Sequence, residues 1–240
     1  MQPTEHGPDI HLNDLRLTLG TTSFRFESLI RGGRITAVIG PSGSGKSTLL
    51  NIIAGFDRAH SGQVLFGDES MTGRHPAERP VSVIFQDHNL FAHLDLFTNI
   101  GLGIHPSLKL SQDDRSRVSA ALAHVGLGGM EGRKPGTLSG GEKQRAAFAR
   151  ALVRKRPVLL MDEPFAALDP GLRLNMTSLL RDLHQETMST VLIVTHDPDE
   201  VQRLAQDVIF VEKGRIMLHS EAVNLFEHRD VPAISQFLDG

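Results

Sequence analysis

Apolar and polar residues alternate with a period of two over residues 10–19 (IHLNDLRLTL) and again over 23–29 (SFRFESL), on either side of Gly20-Thr21-Thr22. Such alternation buries one face of a strand, so the two segments predict an antiparallel hairpin. The pattern then changes. ITAVIG at 35–40 is apolar without alternation, as a strand covered on both faces requires, and it runs into the glycine-rich segment GPSGSGKST. Residues 46–55 have helical spacing that Gly55 ends. QVLF at 63–66 and VSVIF at 81–85 predict two more strands.

From about Thr98 to Arg154 the pattern is mostly helical. SQDDRSRVSAALAHVG opens with Ser111 as an N-cap and acids in its first turn, and closes at Gly126; GEKQRAAFARALVR is a second helix. Strand signals return at 157–162 (PVLLMD), 190–195 (TVLIVT) and 207–212 (DVIFVE), with helices between. Alternating strands and helices predict an α/β fold around buried parallel strands. The reading is one domain over 1–240, with a core of residues 1–86 and 158–240 and a helical block, 87–157, inserted into it. No internal repeat or low-complexity linker divides the chain.

The chemistry sits at the strand ends. Gly40, Gly45, Lys46 and Ser47 satisfy the spacing G-x-x-x-x-G-K-[ST], between a predicted strand and a predicted helix. Over Gly40, Pro41, Ser42, Gly43, Ser44, Gly45, Lys46, Ser47 and Thr48, backbone N–H groups close around phosphate oxygens and the helix presents its N-terminus to the anion. Lys46 reaches the terminal phosphates, and the Ser47 hydroxyl suits Mg²⁺. Asp162 and Glu163 follow the apolar run VLLM, where α/β sheets bind ligands. Alone, an Asp-Glu pair after a strand is more often a solvated turn. Beside a phosphate loop, Asp162 suits the metal and Glu163 suits a base for the attacking water.

A second glycine turn, LSGGEKQRAAFARAL (138–152), lies about a hundred residues downstream. Ser139, Gly140 and Gly141 precede a helix expected to begin near Glu142. They offer a hydroxyl, free N–H groups and a positive helix end, which together make a second anion site.

Composition narrows the possibilities. The formal net charge of −3 gives no global basic field, so no nucleic-acid partner is expected. The absence of cysteine excludes disulfides, thiolate metal sites and cysteine nucleophiles. The first residues, MQPTEHGPD, show no basic start before an apolar stretch, so no secretory signal is expected. Runs such as VLLM and VLIV are far shorter than the roughly 20 residues that span a bilayer. The 12 histidines show no metal-ligand spacing.

Phosphate loop, LSGGEKQR, LLMDEP and ALD occur in the order found in ATP-binding-cassette ATPases, and the chain resembles that family from about residue 10 to 228. The resemblance implies a P-loop NTPase core with an N-terminal antiparallel β subdomain and an inserted α-helical subdomain. It implies ATP and Mg²⁺ as ligands and a head-to-tail homodimer. In that dimer the 139–141 turn of one subunit caps ATP held on the phosphate loop of the other. By the same resemblance Gln86 senses the γ-phosphate or Mg²⁺, His196 contacts the γ-phosphate, and Asp169 lies between the two sites. Read by itself, His196 in VTHDPDE is equally a neighbour of a helix cap. Many family members stack adenine on an aromatic near the end of the first strand. The counterpart here is Leu19, with Phe24 across the turn as the alternative in a chain that has neither Tyr nor Trp.

One cassette without a membrane span suits the motor subunit of a transporter. A chromosome or repair ATPase of the family would need a long heptad arm, and a translation factor usually carries two cassettes. LLNIIAGF, RPVSVIFQDHNLFAHL and NIGLGIHPSLKL are similar to the ATP-binding subunits of bacterial thiamine importers, with iron(III) or polyamine importers as the alternative. The implied partners are integral-membrane permease subunits and, indirectly, a periplasmic substrate-binding protein. The implied location is the cytoplasmic face of the bacterial inner membrane. NLFAHLDLF (89–97), with Leu90, Phe91, Leu94, Leu96 and Phe97, reads either as a docking surface for the permease or as ordinary packing of the helical block.

Overall fold

The structure is a computed structural model that describes residues 6–85, 89–228 and 231–239. The chain divides into two compact units. One comprises Met1–Val81, Pro157–Glu163 and Leu183–Gly240; the other comprises Ser82–Arg156 and Pro164–Asp182. The helical unit therefore takes in residues 164–182, which the sequence boundary of 87–157 assigns to the core.

In the first unit, β1 (Ile10–Leu19) and β2 (Thr22–Ile30) form the predicted hairpin, pairing Leu17 with Phe24 and Leu15 with Phe26. A bulge between Leu12 and Leu15 places Asp14 at φ 43°, where its carboxylate accepts from Arg16 and Arg25 at 2.8 and 2.7 Å. β4 (Ser61–Phe66) adds to β1, and the two-residue β5 (Glu69–Ser70) adds to β4.

The parallel core consists of β3 (Ile35–Ile39), β7 (Val158–Asp162), β8 (Thr190–Val194) and β9 (Asp207–Glu212). β3 pairs with β8 and β9, and β7 pairs with β8, all parallel. Every residue of β3 and β8 is buried, the condition their unbroken apolar runs anticipate. β10 (Arg215–Glu221), which the polar-rich segment RIMLHSE does not announce, turns back antiparallel on β9. A single parallel pair, Arg215 with Arg25, joins it to β2 and so links the antiparallel strands to the core. In space the strands of this unit run β5-β4-β1-β2-β10-β9-β3-β8-β7.

Helix α1 (Lys46–Ala54) leaves the phosphate loop and ends at Gly55 in the left-handed conformation. The buried guanidinium of Arg79 donates through Nη1 to the carbonyls of Ile52 and Ile53, both at 2.8 Å. A cation at a helix C-terminus meets orphan carbonyls and the negative end of the dipole. Burial holds the Arg79 pKa below its ordinary value.

The second unit is built from α2 (Leu96–Ile104), α3 (Gln112–His124) and α4 (Gly140–Val153). Ser111 caps α3 in a reciprocal box with Asp114, so its predicted start is found. Leu96, Ile100, Val118, Leu122, Ala146, Ala147 and Phe148 fill the core of the unit, where Phe148 and Phe165 lie 6.4 Å apart. β6 (Val81–Ile84) and α5 (Pro170–Thr187) straddle the division of the chain. The other α-helices among the described residues are α6 (Pro198–Leu204) and α7 (Pro232–Asp239).

Candidate nucleotide site

The C-terminal ends of β3, β7 and β8 deliver the phosphate loop, the Asp162–Glu163 pair and His196 within the first unit. The loop leaves β3 at Gly40, whose φ is 141°; a Cβ there would collide with the Val211 carbonyl oxygen. Gly45, at φ 110°, opens α1, and a Cβ on it would lie 2.8 Å from the Phe24 ring. Both positions therefore need glycine for conformation and for close approach. Lys46 Nζ donates to the carbonyls of Gly40 and Pro41 at 2.8 and 2.9 Å, curled over its own loop. Ser44 is buried, and its Oγ has no hydrogen-bond partner among the described residues. An orphaned hydroxyl in an amide-lined loop suits an incoming phosphate oxygen.

Electrostatics tie the parts together. Burial raises the Asp162 pKa above its ordinary 3.8, and the negative charge of Glu163 adds to this; the Ser47 hydrogen bond and Lys46 pull it back. Burial lowers the Lys46 pKa, opposed by the charges of Glu163 and Asp162. Ser47 and Asp162 thus present a hydroxyl and a half-buried carboxylate as oxygen donors on the same side of the site. No group of three or more His, Cys, Asp or Glu that could hold a metal occurs among the described residues. A two-oxygen donor set fits Mg²⁺, which is usually held by few protein ligands together with substrate phosphates and water.

Glu163 follows β7 at φ 47°, an uncommon conformation for a residue with a side chain, and its N–H donates to the Val194 carbonyl at 3.1 Å. Strain of this kind, on the order of 1–3 kcal/mol, concentrates at functional positions. His196 Nδ1 lies 3.6 Å from Glu163 Oε2. The adjoining Thr195 hydroxyl donates to Glu200 at 2.6 Å and accepts from the Asp197 N–H at 3.0 Å, which fixes the backbone that carries His196.

Gln86 lies outside the described residues. Ser139, Gly140, Gly141 and Asp169 belong to the second unit. Their helix α4 starts at Gly140, two residues before the expected Glu142, because Ser139 and Glu142 close a capping box. Ser139 Oγ accepts from the Glu142 N–H at 3.2 Å, and Glu142 Oε2 accepts from the Ser139 N–H at 2.7 Å. This pairing holds the Glu142 pKa below its ordinary value. Asp169 Oδ1 accepts from the Leu172 N–H at 2.9 Å, capping the start of α5.

Leu19, at the hairpin turn, is 43% exposed, whereas Phe24 is 8% exposed with its ring against Gly45. Sequence reasoning named Phe24 only as an alternative contact for the base; it missed the place of this ring against Gly45, and it missed Val211 and Gly214 beneath the loop. The sequence signal available there was Gly214 itself, since glycine marks turns.

A strand, phosphate loop and helix, with a carboxylate pair at the end of a parallel strand two places away in the sheet, define a nucleotide-binding ATPase of the P-loop class. The ABC transporter family description matches residues 25–166, and the chain belongs to that family. It is 55% identical over 224 residues to the thiamine import ATP-binding protein ThiQ of Rhizobium meliloti, covering 93% of this chain and 94% of that protein. The protein of the same name from Brucella suis is 48% identical, over 96% of this chain and 95% of its own. Among solved structures, the ATP-binding cassette MJ0796, a dimer in a post-hydrolysis state bound to ADP and Pi, superposes with a TM-score of 0.80. It is 28% identical and covers 89% of this chain and 98% of its own. The chain is accordingly an ATP-binding, ATP-hydrolysing cassette. No helix among the described residues is long and apolar enough to cross a membrane.

Proposed function

We propose that this chain is the motor subunit of a bacterial thiamine importer, converting ATP and water to ADP and phosphate to drive uptake. The observation that carries the cargo is the 55% identity, over nearly its whole length, to a protein named for thiamine import. Thiamine or a phosphorylated form is bound by other chains, because the nucleotide site carries no cargo chemistry.

In this reading the phosphate loop and Lys46 bind the triphosphate, Ser47, Asp162 and Gln86 hold Mg²⁺, and Leu19 contacts the base. Mg²⁺, when bound, neutralises charge on the β- and γ-phosphates. Glu163 accepts the proton of the attacking water, and His196 supports the γ-phosphate side of the same site. Two copies pair head to tail, with Ser139, Gly140 and Gly141 of one and Asp169 near the junction completing the site of the other. The dimeric state of the MJ0796 cassette supports this arrangement. Closure and reopening drive integral-membrane permease subunits, which hold the motor peripherally at the cytoplasmic face of the inner membrane. A periplasmic binding protein supplies cargo from the far side.

The test is reconstitution with the permease subunits of a thiamine importer. ATP hydrolysis should rise when thiamine-loaded binding protein is added. Stimulation by an iron(III)- or polyamine-loaded binding protein instead would replace the cargo while leaving the motor reading intact.

A further inference from the structure

The phosphate loop rests on two elements that perform no chemistry. The first is the Phe24 ring on β2. A Cβ on Gly45 would lie 2.8 Å from it, and one on Gly214 would lie 3.1 Å from it, so the ring is gripped between two glycines. Phe26 backs it at 6.1 Å between centroids. The second is the turn at Lys213 and Gly214 that joins β9 to β10. The Gly214 N–H donates to the Ser44 carbonyl at 2.9 Å, and the Gly214 carbonyl accepts from the Arg25 N–H at 2.8 Å. The turn is thus bonded to the loop on one side and to the strand carrying Phe24 on the other. Lys213 adopts φ 47° and Gly214 φ 74° to make it.

A loop with glycines at 40, 43 and 45 has many conformations to lose when its amides converge on an anion, and each one lost weakens binding. A stiff aromatic wedge and a bonded turn remove those alternatives in advance. We propose that Phe24 and Gly214 are positioning residues that pre-shape the phosphate loop, so that they govern affinity for the phosphate chain and not for the base. The proposal rests on the reading of this site as an ATP site.

The experiment measures dissociation constants of the full chain for ATP, GTP and inorganic tripolyphosphate by calorimetry, with melting temperatures alongside. Phe24→Ala should weaken all three ligands by the same factor, about tenfold, with Phe24→Leu recovering most of the loss. Gly214→Ala, whose Cβ would press on the Ser23 carbonyl and the Phe24 ring, should show the same base-independent weakening even if Phe24→Ala does not fold. Val64→Ala, a buried change on β4, should lower the melting temperature yet leave the three constants within about twofold. Weakening of ATP and GTP without tripolyphosphate would make Phe24 a base contact and overturn the proposal. So would unchanged constants in Gly214→Ala and in a folded Phe24→Ala, or a loss in Val64→Ala that tracks its melting temperature. A wild-type chain that bound none of the three would instead refute the nucleotide reading.

Discussion

His196 Nδ1 and Glu163 Oε2 face each other across 3.6 Å at the tips of the neighbouring strands β8 and β7, and the two backbones are tied by the Glu163 N–H to Val194 carbonyl bond. The separation is just beyond hydrogen-bond length. Glu163→Gln should keep ATP affinity and slow phosphate release by about 10²–10⁴, the usual worth of a positioned base. The trapped species should be an ATP-bound dimer, seen by light scattering with the membrane subunits present. Monomer alone at saturating ATP would contradict this.

Asp162 provides a pH test. Its folded-state pKa is raised, chiefly by burial. Stability from this group is therefore full below the ordinary aspartate value and is lost as pH rises through the raised value. At neutral pH the charged carboxylate opposes folding of the nucleotide-free chain. Asp162→Asn should raise the melting temperature at pH 7 without nucleotide, and that gain should shrink as pH falls through the raised value and vanish below the ordinary 3.8. The same variant should lose the further rise that Mg²⁺ gives with ATP in the wild type.

Ser139 holds a helix cap in addition to its proposed contact with nucleotide. Ser139→Ala should cost about 1 kcal/mol of stability in urea unfolding, since α4 loses its side-chain cap. Ser139→Arg in the Glu163→Gln background should abolish the ATP-bound dimer while monomer affinity for ATP is unchanged. Weaker binding by isolated monomers would show that the turn acts on its own subunit's nucleotide.

Asn99 separates the two readings of residues 89–97. Its buried amide accepts from the Phe91 N–H at 2.8 Å and donates to the carbonyls of Phe91, Leu94 and Asp95 at 3.1, 3.0 and 2.9 Å. Asn99→Ala strands these groups and should cost on the order of 3 kcal/mol. Phe91 is half exposed, so Phe91→Ala should barely alter stability or basal hydrolysis yet reduce co-purification with the permease. Undiminished assembly by Phe91→Ala would leave the segment as packing alone.

In the proposed site Leu19 would offer the base apolar contact without a stack, and an aromatic stack contributes about 1–3 kcal/mol. GTP should compete with ATP within about tenfold, and Leu19→Tyr should tighten ATP binding. No gain from Leu19→Tyr in equilibrium titration would place the base elsewhere.

The sequence by itself determined the parallel core, the hairpin and the helix caps, because each depends on local spacing: unbroken apolar runs in β3 and β8, alternation in β1 and β2, Ser111 before its acids. It also determined the phosphate loop and the Asp162–Glu163 pair, since that chemistry lies in contiguous residues whose types are dictated by anion and metal binding. Tertiary structure alone decided what lies beneath and beside them. The strand β10 reads as polar, and its place follows from pairing with β9 and touching β2. Whether Phe24 faced a ligand or the protein depended on a turn 190 residues downstream, at Gly214. Ser139 reads as an anion donor, yet its oxygen also closes a helix cap, a competition between partners that appears only when both are placed. Contacts between residues far apart in the chain leave no period in it, which is why the seat of the loop was invisible while the loop itself was plain.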